Sequence, residues 1–96
     1  MVRHIVCFKL KDNSEESKKK AKEILSSMEG NVPQLRNIWV GTDFLGSDRS
    51  YDVILMVDVD SREALEEYQN DPYHCSVVKP YMHAAREGSV AVDCEI

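Results

Sequence analysis

The chain has 96 residues, 43% hydrophobic and 30% charged, a composition that suits one small globular domain and leaves too little sequence for a second core. Its formal net charge of −5 repels phosphate backbones and anionic lipid, which argues against nucleic-acid and membrane partners. The three cysteines, Cys7, Cys75 and Cys94, lack CxxC spacing, and no apolar signal or membrane segment is evident. We therefore expect one cytoplasmic domain over residues 1–96.

The beginning of the chain predicts a strand followed by a helix. Residues 2–10 alternate in the manner of a strand and carry apolar side chains on both faces. Asn13 and Glu16 form a capping pattern, and apolar residues then recur at helical spacing until Gly30, which predicts a helix over about residues 14–29. The other face of this helix, which we expect to be solvated, consists of Lys18, Lys19, Lys22 and Glu23.

The rest of the chain predicts three strands and two helical segments. One strand is expected between residues 35 and 44, and residues 51–59 show the clearest strand alternation in the chain. An acidic capping pattern at Asp60 and Glu63 then opens a second helix, which the Asp71-Pro72 pair closes because proline disfavours helical geometry in the residue before it. The last expected elements are an irregular helix over 74–85, interrupted near Pro80, and a strand over 90–96.

This order of elements predicts the α+β, ferredoxin-like βαββαβ fold, a four-stranded antiparallel sheet with the helices on one face. The other face of the sheet then lacks a cover within the chain. Its predicted residues include Ile5, Cys7, Ile54 and Met56, all apolar. A second copy of the chain is the economical cover, which predicts a homodimeric α/β barrel joined through its sheets.

Several segments resemble the stress-responsive A/B barrel (Dabb) family. They are the opening run from Val2 to Lys11, the triplet Ser50-Tyr51-Asp52, the run from Tyr68 to His74, and the pair Val92-Asp93. The resemblance extends over essentially the whole chain and implies a homodimer with a small-molecule cavity between sheet and helices. Most bacterial members have no assigned reaction, whereas plant polyketide cyclases of the family perform an intramolecular aldol condensation.

The resemblance implies that Tyr68 and His74 are candidate catalytic residues and that His4 lines the pocket. Further expected ligand-binding residues are Val6, Phe8, Leu55 and Tyr73. His74 near the positive end of a helix would be a neutral imidazole able to accept a proton next to a carbonyl. Tyr68 would then hold the enolate oxygen. A small apolar or carbonyl ligand is expected, and no metal or cofactor.

Structural alternatives stand beside each of these roles. Tyr68 on an inner helix stripe is commonly a packing residue, His74 after Asp-Pro can simply cap a turn, and His4 can be a buried histidine with a hydrogen-bond partner. Asp93 either orients His74 or is an edge-strand charge, of which the second is preferred. His83 is expected to be exposed.

Two alternative functions remain open at this point. In the first, side chains fill the cavity and the protein has a non-catalytic structural or assembly role. In the second, the barrel degrades haem, which requires a cleft large enough for a porphyrin and a histidine open to its iron. Gly-rich phosphate loops and Gly-x-Ser-x-Gly elbows are missing from the sequence, which excludes nucleotide hydrolases and serine esterases.

Overall fold

A computed structural model describes residues 1–96, and the elements follow the predicted order. They are β1 (Val2–Leu10), α1 (Glu15–Ser26), β2 (Asn37–Thr42), β3 (Val53–Val59), α2 (Arg62–Gln69), α3 (Lys79–Ala85) and β4 (Arg86–Glu95). The four strands form one antiparallel sheet in the order β2-β3-β1-β4. The ferredoxin-like prediction is therefore confirmed. No helix combines the length and the apolar character needed to cross a membrane.

The sheet separates a packed face from an open face. On the central strand β1, Val2, Phe8 and Leu10 are buried beneath the helices. Ile5 pairs with Met56 and Cys7 with Ile54 in the register between β1 and β3. These four residues point away from the helices, as predicted, because alternate residues of a strand face opposite ways. The core therefore lies on one side of the sheet only.

The packed core consists mainly of aliphatic side chains from the sheet and one aromatic ring from a helix. Its largest fully buried side chains are Tyr68, Leu25, Met28, Val57, Val59 and Val78. Ser14 and Ser61 cap α1 and α2, because their side chains accept the backbone N–H groups of Ser17 (3.2 Å) and Ala64 (3.1 Å). Both caps lie one residue after the predicted positions.

The segment after α2 is an irregular helix that ends at residue 85, as predicted, but it begins earlier and continues past Pro80. The Asp71 carboxylate accepts hydrogen bonds from the backbone N–H groups of Tyr73 (3.0 Å) and His74 (3.1 Å). Asp71 therefore caps the N-terminus of a new helical segment shortly after α2 ends. Helical structure continues through a π-helical turn (His74–Val78) into α3. The predicted interruption at Pro80 is wrong. Lys79 donates its N–H to the His74 carbonyl five residues back, so the proline, which has no N–H, lies where the hydrogen-bond pattern changes.

Two further expectations need correction. Lys18 is buried rather than solvated, because its Nζ donates to the Asp43 carbonyl (3.1 Å) while its aliphatic stem packs inward. The last strand begins at Arg86, four residues before the predicted start, in a polar stretch that carries no strand alternation.

Candidate functional site

A cavity of about 220 Å³ lies between the sheet and the helices, with residues of α1, α2, the π-helical turn and α3 in its wall. Its lining residues are His4, Val6, Phe8, Leu25, Leu55, Tyr68, Gln69, His74, Val78, Lys79, Met82, His83, Arg86, Ser89 and Ala91. Aliphatic and aromatic side chains form most of the wall, and the three histidines of the chain all contribute to it. A wall of this kind suits a small, partly apolar molecule.

His74 is held as a neutral imidazole with one defined tautomer. Its Nδ1 donates to the backbone carbonyl of Tyr68 at 2.9 Å, so the unprotonated nitrogen is Nε2. Burial lowers the pKa of His74 below its ordinary value, and the positive charge of Lys79 adds to that effect. His74 is also the third residue of the helical run that begins at Pro72, where the helix dipole disfavours an imidazolium. The predicted neutral state agrees with these features.

Tyr68 lies between the two inner histidines. Its ring stacks on His74 with centroids 4.4 Å apart and an interplanar angle of 22°, and it meets His4 edge-on at 5.9 Å. Burial raises the pKa of the Tyr68 hydroxyl above its ordinary value, so the group stays protonated. The hydroxyl donates to the Met28 thioether at 3.7 Å, a weak acceptor that is itself buried and does not line the cavity.

His4 forms a pair with Asp93 across neighbouring strands. The two residues are directly opposite in the register between β1 and β4, and the His4 Nδ1 donates to a carboxylate oxygen of Asp93. A carboxylate on one nitrogen fixes the tautomer and the orientation of the ring. His4 and His74 therefore share one arrangement, in which Nδ1 is hydrogen-bonded within the protein and no hydrogen bond of the chain engages Nε2. Neither Nε2 is a buried atom without a partner, so both atoms reach open space. Asp93 therefore orients His4. The sequence predicted Asp93 only as a partner of His74 or as an edge-strand charge, so this contact is new.

The predicted ligand-binding residues divide into two groups. His4, Val6, Phe8 and Leu55 line the cavity together with Tyr68 and His74. Tyr73 does not line it, because the Tyr73 side chain turns to α1 and donates its hydroxyl to Ser27 at 2.8 Å. The expectation for Tyr73 is therefore corrected.

Three basic residues of the lining did not enter the predicted site. His83 is exposed, as expected, yet it contributes to the cavity wall. Lys79 and Arg86 lie at the two ends of α3, and only the folded path of the chain brings them to the cavity. No group of three or more histidine, cysteine or acidic side chains is placed to hold a metal ion. That the chain needs no cofactor stays a prediction.

The fold and the cavity define a ferredoxin-like α+β protein with histidines and a tyrosine gathered between sheet and helices. The family model described as Stress responsive A/B Barrel Domain matches residues 2–96. Because this match extends over nearly the whole chain, the protein belongs to the stress-responsive A/B barrel family. Comparison with curated protein sequences gives no significant match.

Solved structures with the same fold include bacterial and plant proteins. A dimeric ferredoxin-like protein of unknown function from Thermobifida fusca has a TM-score of 0.83 at 24% identity, and the match covers 99% of this chain and 90% of that one. A dimeric protein of unknown function from Bacteroides fragilis has a TM-score of 0.82 at 25% identity, with 99% and 95% coverage. The hydroxynitrile lyase of Passiflora edulis has a TM-score of 0.80 at 22% identity, with 99% and 92% coverage. At these identities the likeness shows the fold alone.

Proposed function

We propose that residues 1–96 form one homodimeric domain that binds a small carbonyl compound and transfers a proton on it, in the manner of a lyase or cyclase. One observation carries the proposal. Two histidines, each with Nδ1 anchored and Nε2 without a partner, flank the buried hydroxyl-bearing ring of Tyr68 at an apolar cavity. This arrangement supplies a base, a hydrogen-bond donor and a second imidazole within one site.

The chemistry starts at His74. Its Nε2 removes a proton from the carbon next to the carbonyl, and the electrons of the C–H bond become the double bond of an enolate. The negative charge then resides on the former carbonyl oxygen, to which the protonated Tyr68 hydroxyl donates. The His74 imidazolium then returns a proton to the same carbon, which restores the carbonyl and the neutral base, while His4, oriented by Asp93, packs against the edge of the Tyr68 ring.

The size of the cavity limits the ligand. About 220 Å³ lies below the roughly 300–1,000 Å³ of drug-sized pockets, so a molecule of a few carbon atoms fits and a porphyrin does not. This counts against the haem-degrading alternative, and the presence of a cavity counts against a core filled by side chains. The hydroxynitrile lyase among the similar structures supports the proposal as a protein of the same fold with a lyase reaction.

Deuterium exchange tests the proton transfer directly. In D₂O, butanone and cyclohexanone should gain deuterium next to the carbonyl faster with the protein than in buffer, as followed by proton NMR. His74→Gln and Tyr68→Phe should each slow this exchange by roughly 10²–10³-fold. Tyr73→Phe is the matched control, because it removes a hydroxyl outside the cavity. Exchange that persists unchanged in His74→Gln would exclude His74 as the base.

The open face of the sheet supports the homodimer. Trp39, Val90 and Val92 are 56%, 50% and 61% exposed on this face, and exposed apolar side chains gathered on one surface mark a site that binds a partner. Light scattering should give twice the monomer mass for the wild-type chain. Val92→Asp should shift the mass toward the monomer, whereas Val77→Asp, at a 39% exposed valine of the π-helical turn, should not. A monomeric wild-type chain at micromolar concentration would contradict the proposed dimer.

A further inference from the structure

The charges around the cavity contrast with those of the whole chain. The sequence has 17 acidic and 12 basic residues, yet none of the 15 lining residues is an aspartate or a glutamate. Lys79 and Arg86 both line the cavity, and His83 lies beside them. In an acidic protein, a cavity with fixed cations and no carboxylate of its own is suited to an anionic ligand.

Both cations are positioned and lack a carboxylate partner. Lys79 donates its Nζ to the carbonyl of Gln69, the last residue of α2, at 2.6 Å, which leaves two N–H groups of the ammonium free. Arg86 donates from Nη1 to the Ser89 hydroxyl at 2.5 Å. Neither forms one of the ion pairs of the chain, and both are half-buried. Partial burial strengthens their attraction for an anion.

A bulge in β4 directs Arg86 to the cavity. Lys9 pairs with Gly88, but the next residue, Leu10, pairs with Arg86, so Glu87 is an extra residue in the strand. Without this extra residue, strict alternation would place Arg86 on the open face of the sheet, because the cavity-facing Ser89 has the opposite parity. The bulge therefore places the Arg86 guanidinium on the helix-covered face of the sheet, where the cavity lies.

We propose that the ligand is a small keto acid whose carboxylate is bound by Arg86, while its carbonyl lies at the end of the cavity where His74, Tyr68 and Lys79 are found. The role of the carbonyl rests on the function proposed above; the recognition of the carboxylate does not. A planar guanidinium can bind a carboxylate through two parallel hydrogen bonds, and the Lys79 ammonium adds positive charge at the other end of the cavity. The apolar wall between the two ends accommodates the carbon chain.

Levulinate and its methyl ester are the probes, since they share a ketone and a carbon chain and differ in charge. By NMR titration, levulinate should bind the wild-type chain at least about tenfold more tightly than the ester. Arg86→Gln should weaken levulinate binding by about tenfold and Lys79→Gln by less, and each should change ester binding by less than about twofold. Arg49→Gln, in an exposed loop, is the matched control and should change neither.

The outcomes separate this inference from the proposed function. Equal affinity for acid and ester, with ketone exchange intact, would overturn the carboxylate site and leave the proton transfer standing. Charge-selective levulinate binding without any ketone exchange would support the carboxylate site and contradict the proposed reaction. Inorganic phosphate that displaces levulinate and binds more tightly would also overturn the assignment to a carboxylate. Arg86→Lys, which keeps the charge, should retain more affinity for levulinate than Arg86→Gln, and it guards against a folding defect in the glutamine variant.

Discussion

Replacement of Asp71 by alanine should destabilise the protein substantially, because this buried carboxylate begins the helical run that carries His74. It accepts two backbone N–H groups, from Tyr73 at 3.0 Å and from His74 at 3.1 Å. Loss of an N-cap costs about 0.5–2 kcal/mol, and amides left without a partner in a buried environment add to that cost. We expect a decrease of about 2 kcal/mol in the free energy of unfolding. For a domain of this size that is roughly 10 °C in the melting temperature.

Denaturant unfolding at one fixed protein concentration measures this effect, since a dimer's stability depends on concentration. Asp71→Asn keeps an oxygen acceptor and should lose less than half as much as Asp71→Ala. Asp48→Ala, the same change in an exposed loop, is the matched control. If Asp71→Ala unfolds at the wild-type denaturant concentration, the carboxylate does not hold the helix start and our account of how His74 is positioned fails.

A second measurement on the same variant tests the electrostatics. The negative charge of Asp71 raises the pKa of His74 and so offsets part of the lowering caused by burial. Asp71→Asn removes that charge and should move the pKa of His74 still lower, as followed by NMR of the imidazole signals. A shift in the opposite direction would show that solvent has entered around the ring.

Three further predictions concern His74, Lys18 and Gly30. Burial lowers the pKa of folded His74 below its ordinary value of 6.5. As the pH falls below 6.5, the unfolded chain therefore binds more protons than the folded chain. The free energy of unfolding then decreases. His74→Gln should lose less stability than the wild type between about pH 7 and about pH 5, and equal losses in pH-dependent denaturation would refute this. Lys18→Ala should cost about 1–2 kcal/mol in denaturant unfolding, whereas the exposed neighbour change Lys19→Ala should have little effect. Gly30 has a φ of 82°, and an added Cβ there would lie in open space. Gly30→Ala should lower the free energy of unfolding by about 1 kcal/mol, and Gly30→Asn by less. Equal losses for the two variants would contradict backbone strain as the cause.

Strand alternation was sufficient to predict the sheet. Both faces of β1 and β3 carry apolar residues, because one face packs under the helices and the other is the open face. The even-numbered residues of β1 pack under the helices, while the odd-numbered residues Ile5 and Cys7 line the open face. β4 could be placed only in part. Its first residues, from Arg86 to Ser89, are polar and include the bulge, and only pairing with β1 makes them a strand.

The candidate site could be predicted only as far as the family resemblance extends. Tyr68, His74 and His4 are brought together as the resemblance implied. Asp93 could not be assigned to His4, since their contact depends on a register between the two ends of the chain. Pro80 misled the prediction because proline usually breaks a helix, whereas here the π-helical turn before it absorbs the missing donor.

The position of Trp39 has a practical consequence. It is the one tryptophan of the chain, it is 56% exposed, and its ring lies so close to Gly41 that an added Cβ there would be 2.6 Å from it. Both residues are on the open face of the sheet. The tryptophan fluorescence of the protein therefore originates at the surface through which two copies are proposed to meet. The change in this emission as the unlabelled wild-type chain is diluted would therefore report how much of that surface becomes exposed to water.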